Sequence, residues 1–217
     1  DGSTLYITRD IAAAVYRKET YDFYKNIYVV ASQQNLHFQQ WIKVIELLGY
    51  EWANDCVHVP FGLVSMEEGT MSTRQGRVIF LEDVLNRAVE QTKKIIVEKN
   101  VNTENIDETA REVGIGAVVF NELSNYRIKD YVFSWDKVLN FEGETGPYVQ
   151  YTHARACSIL RNAGEEIQAN AKEGFDAKYI TSESAHRLMK LIYEMPEVIV
   201  EAGEKYEPSV VTRHIVD

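Results

Sequence analysis

The chain has 217 residues, 45% hydrophobic and 26% charged, with a formal net charge of −10. That is enough to bury a core in one large domain or two small ones, while the acidic balance argues against a protein that grips nucleic acid mainly by electrostatics. No apolar run approaches the roughly eighteen residues of a membrane span, and Cys56 and Cys157 are too few for a disulfide framework or a Cys-based zinc site, so a reduced, cytoplasmic setting is the default.

The opening Asp1-Gly2-Ser3-Thr4-Leu5 has no basic n-region and no long apolar h-region, so it is not a signal peptide; its lack of an initiator Met suggests a cut boundary. Thr4-Leu5-Tyr6-Ile7 reads as a short strand, followed by a helix from Asp10 to about Thr20. Ile27-Tyr28-Val29-Val30-Ala31 is an apolar run of buried-strand length, Leu36 to Leu48 is helical and stopped by Gly49, and Cys56 to Phe61 is a third strand. Strand, helix, strand, helix, strand predicts a parallel α/β sheet.

Ser65 to Gly76 breaks this periodicity and reads as a loop. A helix is expected from Leu81 to Lys99, with Val84, Leu85, Ala88, Val89, Ile95 and Ile96 on its apolar stripe. Asn102 to Asn125 is helical again but interrupted at Gly114 and Gly116, and Tyr131 to Trp135 is the last strand candidate. Beyond Gly146 the pattern is purely helical: Pro147–Ala163 capped at Gly164, Ser182–Glu194, Pro196 to Lys205, and a helix opening at Pro208. That last helix is still running at Asp217, so the protein is expected to continue. The predicted fold class is α/β followed by all-α, dividing at about residue 140 into 1–140 and 141–217.

Three stretches hold residues suited to chemistry. Ligands of open parallel sheets bind at the carboxyl ends of strands, so Tyr6, Asp10 and Gln34 could converge on one pocket. A carboxylate there suits a guanidinium, which it meets in paired parallel hydrogen bonds, with a phenol and an amide fixing the plane. Taken singly, Asp10 reads equally as a helix N-terminal acid, Tyr6 as packing, Gln34 as loop polarity and His37 as a surface or capping residue. The loop Gly69-Thr70-Met71-Ser72-Thr73-Arg74-Gln75-Gly76 offers hydroxyls, backbone N–H groups and a guanidinium, the parts that hold a phosphate chain; an ordinary solvated loop has the same composition. Around Gly143–Arg155, Tyr148, Tyr151, His153 and Arg155 open a helix. Aromatics with an arginine could stack on bases, or the tyrosines could pack between helices.

These stretches together carry a resemblance. Met71 to Gly76, preceded by His58-Val59-Pro60-Phe61-Gly62-Leu63-Val64 and followed by Val78 to Leu85, resembles the second signature loop of class I aminoacyl-tRNA synthetases in its arginyl-specific form. Thr70, Thr73 and Arg74 stand where the general Lys-Met-Ser-Lys-Ser pattern has its first lysine, second lysine and last serine, which leaves Arg74 as the candidate cation for pyrophosphate. Asp1 to Gln40 is similar to the arginine-pocket region of that family. Tyr6, Asp10 and Gln34 match its arginine-contacting positions, and the same resemblance puts His37, His58 and Val59 at ATP. Gly143–Arg155 resembles the entry to the family's anticodon-binding domain.

The resemblance implies the C-terminal half of a Rossmann-type catalytic domain joined to the start of an α-helical anticodon-binding domain. It further implies an arginine–tRNA ligase that takes ATP with Mg2+, arginine and tRNA(Arg), has no tightly bound metal, and is a monomer at full length. Met71, Ser72, Thr73 and Arg74 are then the catalytic loop. The first class I signature, of His-Ile-Gly-His type, is not present and is expected before Asp1, so the chain alone is expected to be inactive. Two alternatives remain at this point: a non-catalytic synthetase-derived tRNA- or protein-binding module, and a related synthetase such as the cysteinyl one, whose zinc-bound thiol pocket two distant cysteines do not supply.

Overall fold

The computed structural model describes residues 2–66, 80–99, 103–174 and 176–217. The chain forms two packing units, Asp1–Val64 with Arg127–Tyr131, and Ser65–Tyr126 with Val132–Asp217.

In the first unit, α1 (Tyr6–Tyr21), β1 (Asn26–Ala31), α2 (Asn35–Leu47) and β2 (Cys56–Phe61) follow in order, with a 3-10 turn at Ser32–Gln34 leading into α2. The strand expected at Thr4–Ile7 is instead the start of α1, with Leu5 extended before it. The reason is the helical spacing Ile7, Ile11, Ala14, which reaches back to Ile7 and packs on the same core. A four-residue apolar run fits either period. The sheet here is therefore β1 paired parallel with β2, in register from Asn26 against Cys56 to Ala31 against Phe61.

Ala14, Phe38, Trp41, Ile45, Ala53 and Cys56 form the core, with Tyr28 and Val30 against it. Only that face of β1 is covered; Ile27 and Val29 are 47% and 63% exposed, so among the described residues β1 is not the two-sided buried strand its apolar run predicts. Burial pushes the Cys56 thiol up to about 11, keeping it a neutral core group, and raises the Tyr28 phenol against the lowering effect of Arg17. After β2 the chain is latched by Arg127–Tyr131: Gly62 N–H donates to the Arg127 carbonyl at 2.9 Å, Leu63 N–H to Asp130 Oδ1 at 2.6 Å, and Arg127 donates to the Pro60 carbonyl. A Cβ on Gly62 would stand 2.5 Å from the Lys129 carbonyl, so only glycine permits this approach.

The second unit is mostly helical. β3 (Val64–Met66), whose last two residues belong to it, pairs with β4 (Tyr131–Phe133). The helices are α3 (Leu81–Glu98), α4 (Ile106–Ser124), α5 (Trp135–Val138), α6 (Gly146–Asn162), α7 (Gly164–Glu173), α8 (Glu183–Lys205) and α9 (Ser209–Val216). Strand β4 stops at Phe133 because Ser134 turns Trp135 into the first residue of α5, shortening the expected strand. Helix α7 follows α6 directly through Gly164, whose φ of +80° ends one helix and starts the next; the sequence reading missed it.

Two expected breaks do not occur. Pro196 lies inside α8 rather than between two helices. A proline removes one donor, and the amphipathic run continues on both sides of it; the neighbouring Leu191 carbonyl accepts from His214 Nε2 of α9 at 2.8 Å. Helix α4 runs unbroken through Gly114 and Gly116, opened by Asn105, whose side chain accepts from Glu108 N–H at 3.2 Å. The expected start at Asn102 lies outside the described residues, as does most of the Ser65–Gly76 loop.

Gly114 serves helix packing rather than a break. A Cβ there would lie 2.9 Å from the Ala88 carbonyl carbon and oxygen of α3. Helix propensity favours alanine by about 1 kcal/mol, but overpacking against fixed backbone costs about 1–3 kcal/mol, so the clash wins. Gly114→Ala should lower folding stability by up to about 2 kcal/mol in denaturant titration. Gly203→Ala in α8, with nothing within 4 Å, should leave it equal or higher. A stabilised Gly114→Ala variant would show that the close α3–α4 approach is dispensable.

Candidate functional site

The first unit brings residues of α1 and α2 together. Tyr6 is the first residue of α1 and 68% exposed, not the end of a strand. One turn further, Asp10 meets His37 in the first turn of α2, with His37 Nε2 2.5 Å from Asp10 Oδ2. The side chains are 39% and 17% exposed respectively. The Tyr6 and His37 rings lie 4.8 Å apart between centroids, tilted by 49°. Gln34, partly buried, ends the 3-10 turn that carries the chain from the carboxyl end of β1 into α2. An acid, an imidazole and a phenol thus gather near the starts of α1 and α2, and Gln34 lies three residues before His37 along the chain. That is the end of a parallel sheet where ligands bind.

Phe38 links this cluster to a second one. It lies 5.8 Å from the His37 ring on one side and stacks on His58 at 4.0 Å and 11° on the other. His58 Nε2 donates to the Val30 carbonyl at 2.9 Å across the β1–β2 pair, which fixes the ring plane and places the proton on Nε2. Asn35, Phe38, Gln39, His58 and Pro60 line a cleft beside it. Val59 points the other way, 5% exposed in the core, so only its backbone can meet a ligand. Met71, Ser72, Thr73 and Arg74 lie outside the described residues. Among the described residues no group of three or more His, Cys, Asp or Glu could hold a metal ion.

In the second unit, Thr145 caps α6 by accepting from Tyr148 N–H at 3.3 Å, and Pro147 fills the first turn as its position predicts. Tyr148 and Tyr151 are 41% and 55% exposed rather than packed between helices. The Arg155 guanidinium lies over the Tyr151 ring, 5.7 Å from its centroid, so α6 presents a cation on an aromatic face. His153 Nε2 and Cys157 Sγ are 3.4 Å apart on the same helix.

The contact that sequence reasoning missed is His37 on Asp10. Twenty-seven residues separate the two, and no local period connects them. The only available signal is that both lie near the starts of helices flanking one strand.

Comparison with known proteins bears on this arrangement. Residues 1–135 match the family model described as tRNA synthetases class I (R), catalytic domain, and residues 149–217 match the DALR anticodon binding domain. The chain is 63% identical over its whole length to an arginine–tRNA ligase of Halothermothrix orenii and 59% identical to one of Clostridioides difficile. It spans 38% of the length of each. The arginyl-tRNA synthetase of Thermus thermophilus has a similar structure, with a TM-score of 0.87 at 27% identity, covering 100% of this chain and 40% of that one. The fold is a class I synthetase catalytic-domain segment followed by a DALR helical domain, and the chain belongs to the class I arginyl-tRNA synthetase family.

Proposed function

We propose that the chain is the arginine-recognising part of an arginine–tRNA ligase, made of a catalytic segment, 1–140, and the start of the anticodon-binding domain, 141–217. Asp10 accepts the guanidinium of arginine in paired hydrogen bonds, and Tyr6 and Gln34 fix its plane. His58 and the Val59 backbone face ATP, and Met71, Ser72, Thr73 and Arg74 close on its pyrophosphate, with Arg74 supplying positive charge. The arginine carboxylate attacks the α-phosphate, and the bond from α-phosphorus to the bridging oxygen breaks so that pyrophosphate leaves. The arginyl group of the resulting adenylate then passes to the terminal ribose of tRNA(Arg), and AMP leaves.

Throughout, the chain contributes positioning and charge rather than a covalent intermediate. Magnesium would come with ATP, held by its phosphates and water rather than by a cage of side chains, and would offset phosphate charge. We further propose that the full-length enzyme works as a cytoplasmic monomer. The single observation that best supports the reading is the meeting of Tyr6, Asp10 and His37 at the start of α2, which follows the carboxyl end of β1. The stacked Tyr151–Arg155 pair suits contact with tRNA bases, which a protein of net charge −10 must recognise by local features.

In the full-length enzyme, Asp10→Asn should cost about 2 kcal/mol or more in arginine use, roughly 30-fold in kcat/KM, with ATP use little changed. Unchanged arginine kinetics would remove Asp10 from the pocket. The 217-residue chain by itself should show no arginine-dependent ATP–pyrophosphate exchange, since it carries no His-Ile-Gly-His motif for the α-phosphate; robust exchange would show that it is self-sufficient.

A further inference from the structure

A carboxylate that receives a guanidinium in two parallel hydrogen bonds must hold both oxygens in one plane. Asp10 cannot do this alone. Its side chain is 39% exposed in the second turn of α1, where the terminal rotation of an aspartate is broad. The group that fixes it comes from α2, where His37 Nε2 reaches Oδ2 at 2.5 Å.

His37 is itself held. Its side chain is 17% exposed, between the Tyr6 ring at 4.8 Å and the Phe38 ring at 5.8 Å. Phe38 in turn packs on Trp41, 5.6 Å between centroids, in the core. A chain of fixed rings therefore runs from the core to Asp10 Oδ2. An ionised carboxylate offers about four acceptor directions, so this one bond leaves Oδ1 and the second lone pair of Oδ2 able to accept a guanidinium edge. Nε2 is thereby committed to Asp10, which leaves only Nδ1 of the ring for any hydroxyl of a nucleotide.

We infer that His37 is a positioning residue for arginine: it sets the plane of the Asp10 carboxylate, and with Tyr6 walls the guanidinium site, instead of serving the nucleotide. This rests on the reading of Asp10 as the partner of the guanidinium. It replaces the place at ATP that the resemblance implies for His37.

The test is steady-state aminoacylation by the full-length enzyme, with arginine and ATP varied separately. His37→Phe keeps a ring against Tyr6 and Phe38 and removes both nitrogens. His37→Asn places its amide nitrogen near the Nδ1 position, out of reach of Asp10, and serves as the loss variant if the phenylalanine protein does not fold. His37→Gln restores an N–H near the Nε2 position. The loss variants should raise arginine KM roughly 10-fold, the scale of a lost charge-assisted hydrogen bond, and leave ATP KM within about twofold; His37→Gln should recover most of the loss.

In an Asp10→Asn background the loss variants should add little, because the group they position is already gone. An arginine KM that is unchanged or lowered, a larger effect on ATP than on arginine, absence of rescue by glutamine, or full additivity with Asp10→Asn would each overturn the inference. If Asp10→Asn also leaves arginine use intact, the pocket reading itself falls. If only Asp10→Asn acts, the pocket stands and His37 is not its positioning residue.

Discussion

Trp41 has no exposed surface, and burying it sets the geometry of the first unit. Phe38, Trp41 and Ile45 recur at helical spacing on α2 and meet Ala14, Ile7 and Ile11 of α1 and Tyr28 and Val30 of β1. Burying one large aromatic removes about 150–250 Å2 from water, worth on the order of 4–6 kcal/mol. The Asp10–His37 pair is partly open to solvent and contributes about 0–1 kcal/mol. The core therefore places the pair, and the pair does not hold the helices together.

The same asymmetry explains what could be read from the sequence. Elements fixed by local patterning are legible: β2 at Cys56–Phe61, α3 from Leu81, the first-turn Pro147 and a helix opening at about Ser182. Elements decided by tertiary contact are not. Thr4–Ile7 fits a strand period as well as a helix, and only the core against Ile7 chooses. Gly114 looks like a breaker until Ala88 of α3 is brought beside it. Pro196 looks like a boundary, but one missing donor does not end a helix of 23 residues whose apolar face continues.

The candidate site divides along the same line. Tyr6, Asp10 and Gln34 were identified by residue type and resemblance, and the fold gathers Tyr6 and Asp10 with His37 at the head of α2. That a histidine 27 residues away holds Asp10 was not legible, because it follows from how α1 lies on α2. Val59 shows the converse. Resemblance marks it, yet its side chain belongs to the core, so any contact it makes with a ligand runs through the backbone. In the second unit, the exposure of Tyr148 and Tyr151 sets aside interhelical packing, a choice that composition left open.

The Asp10 carboxylate in the second turn of α1 is proposed to receive a guanidinium. The most direct measurement is a crystal structure of the full-length enzyme with arginine bound. The account predicts two guanidinium nitrogens within hydrogen-bond distance of Asp10, the Tyr6 ring beside them, and His37 still on Oδ2. Arginine bound elsewhere, with Asp10 contacting only His37, would contradict it.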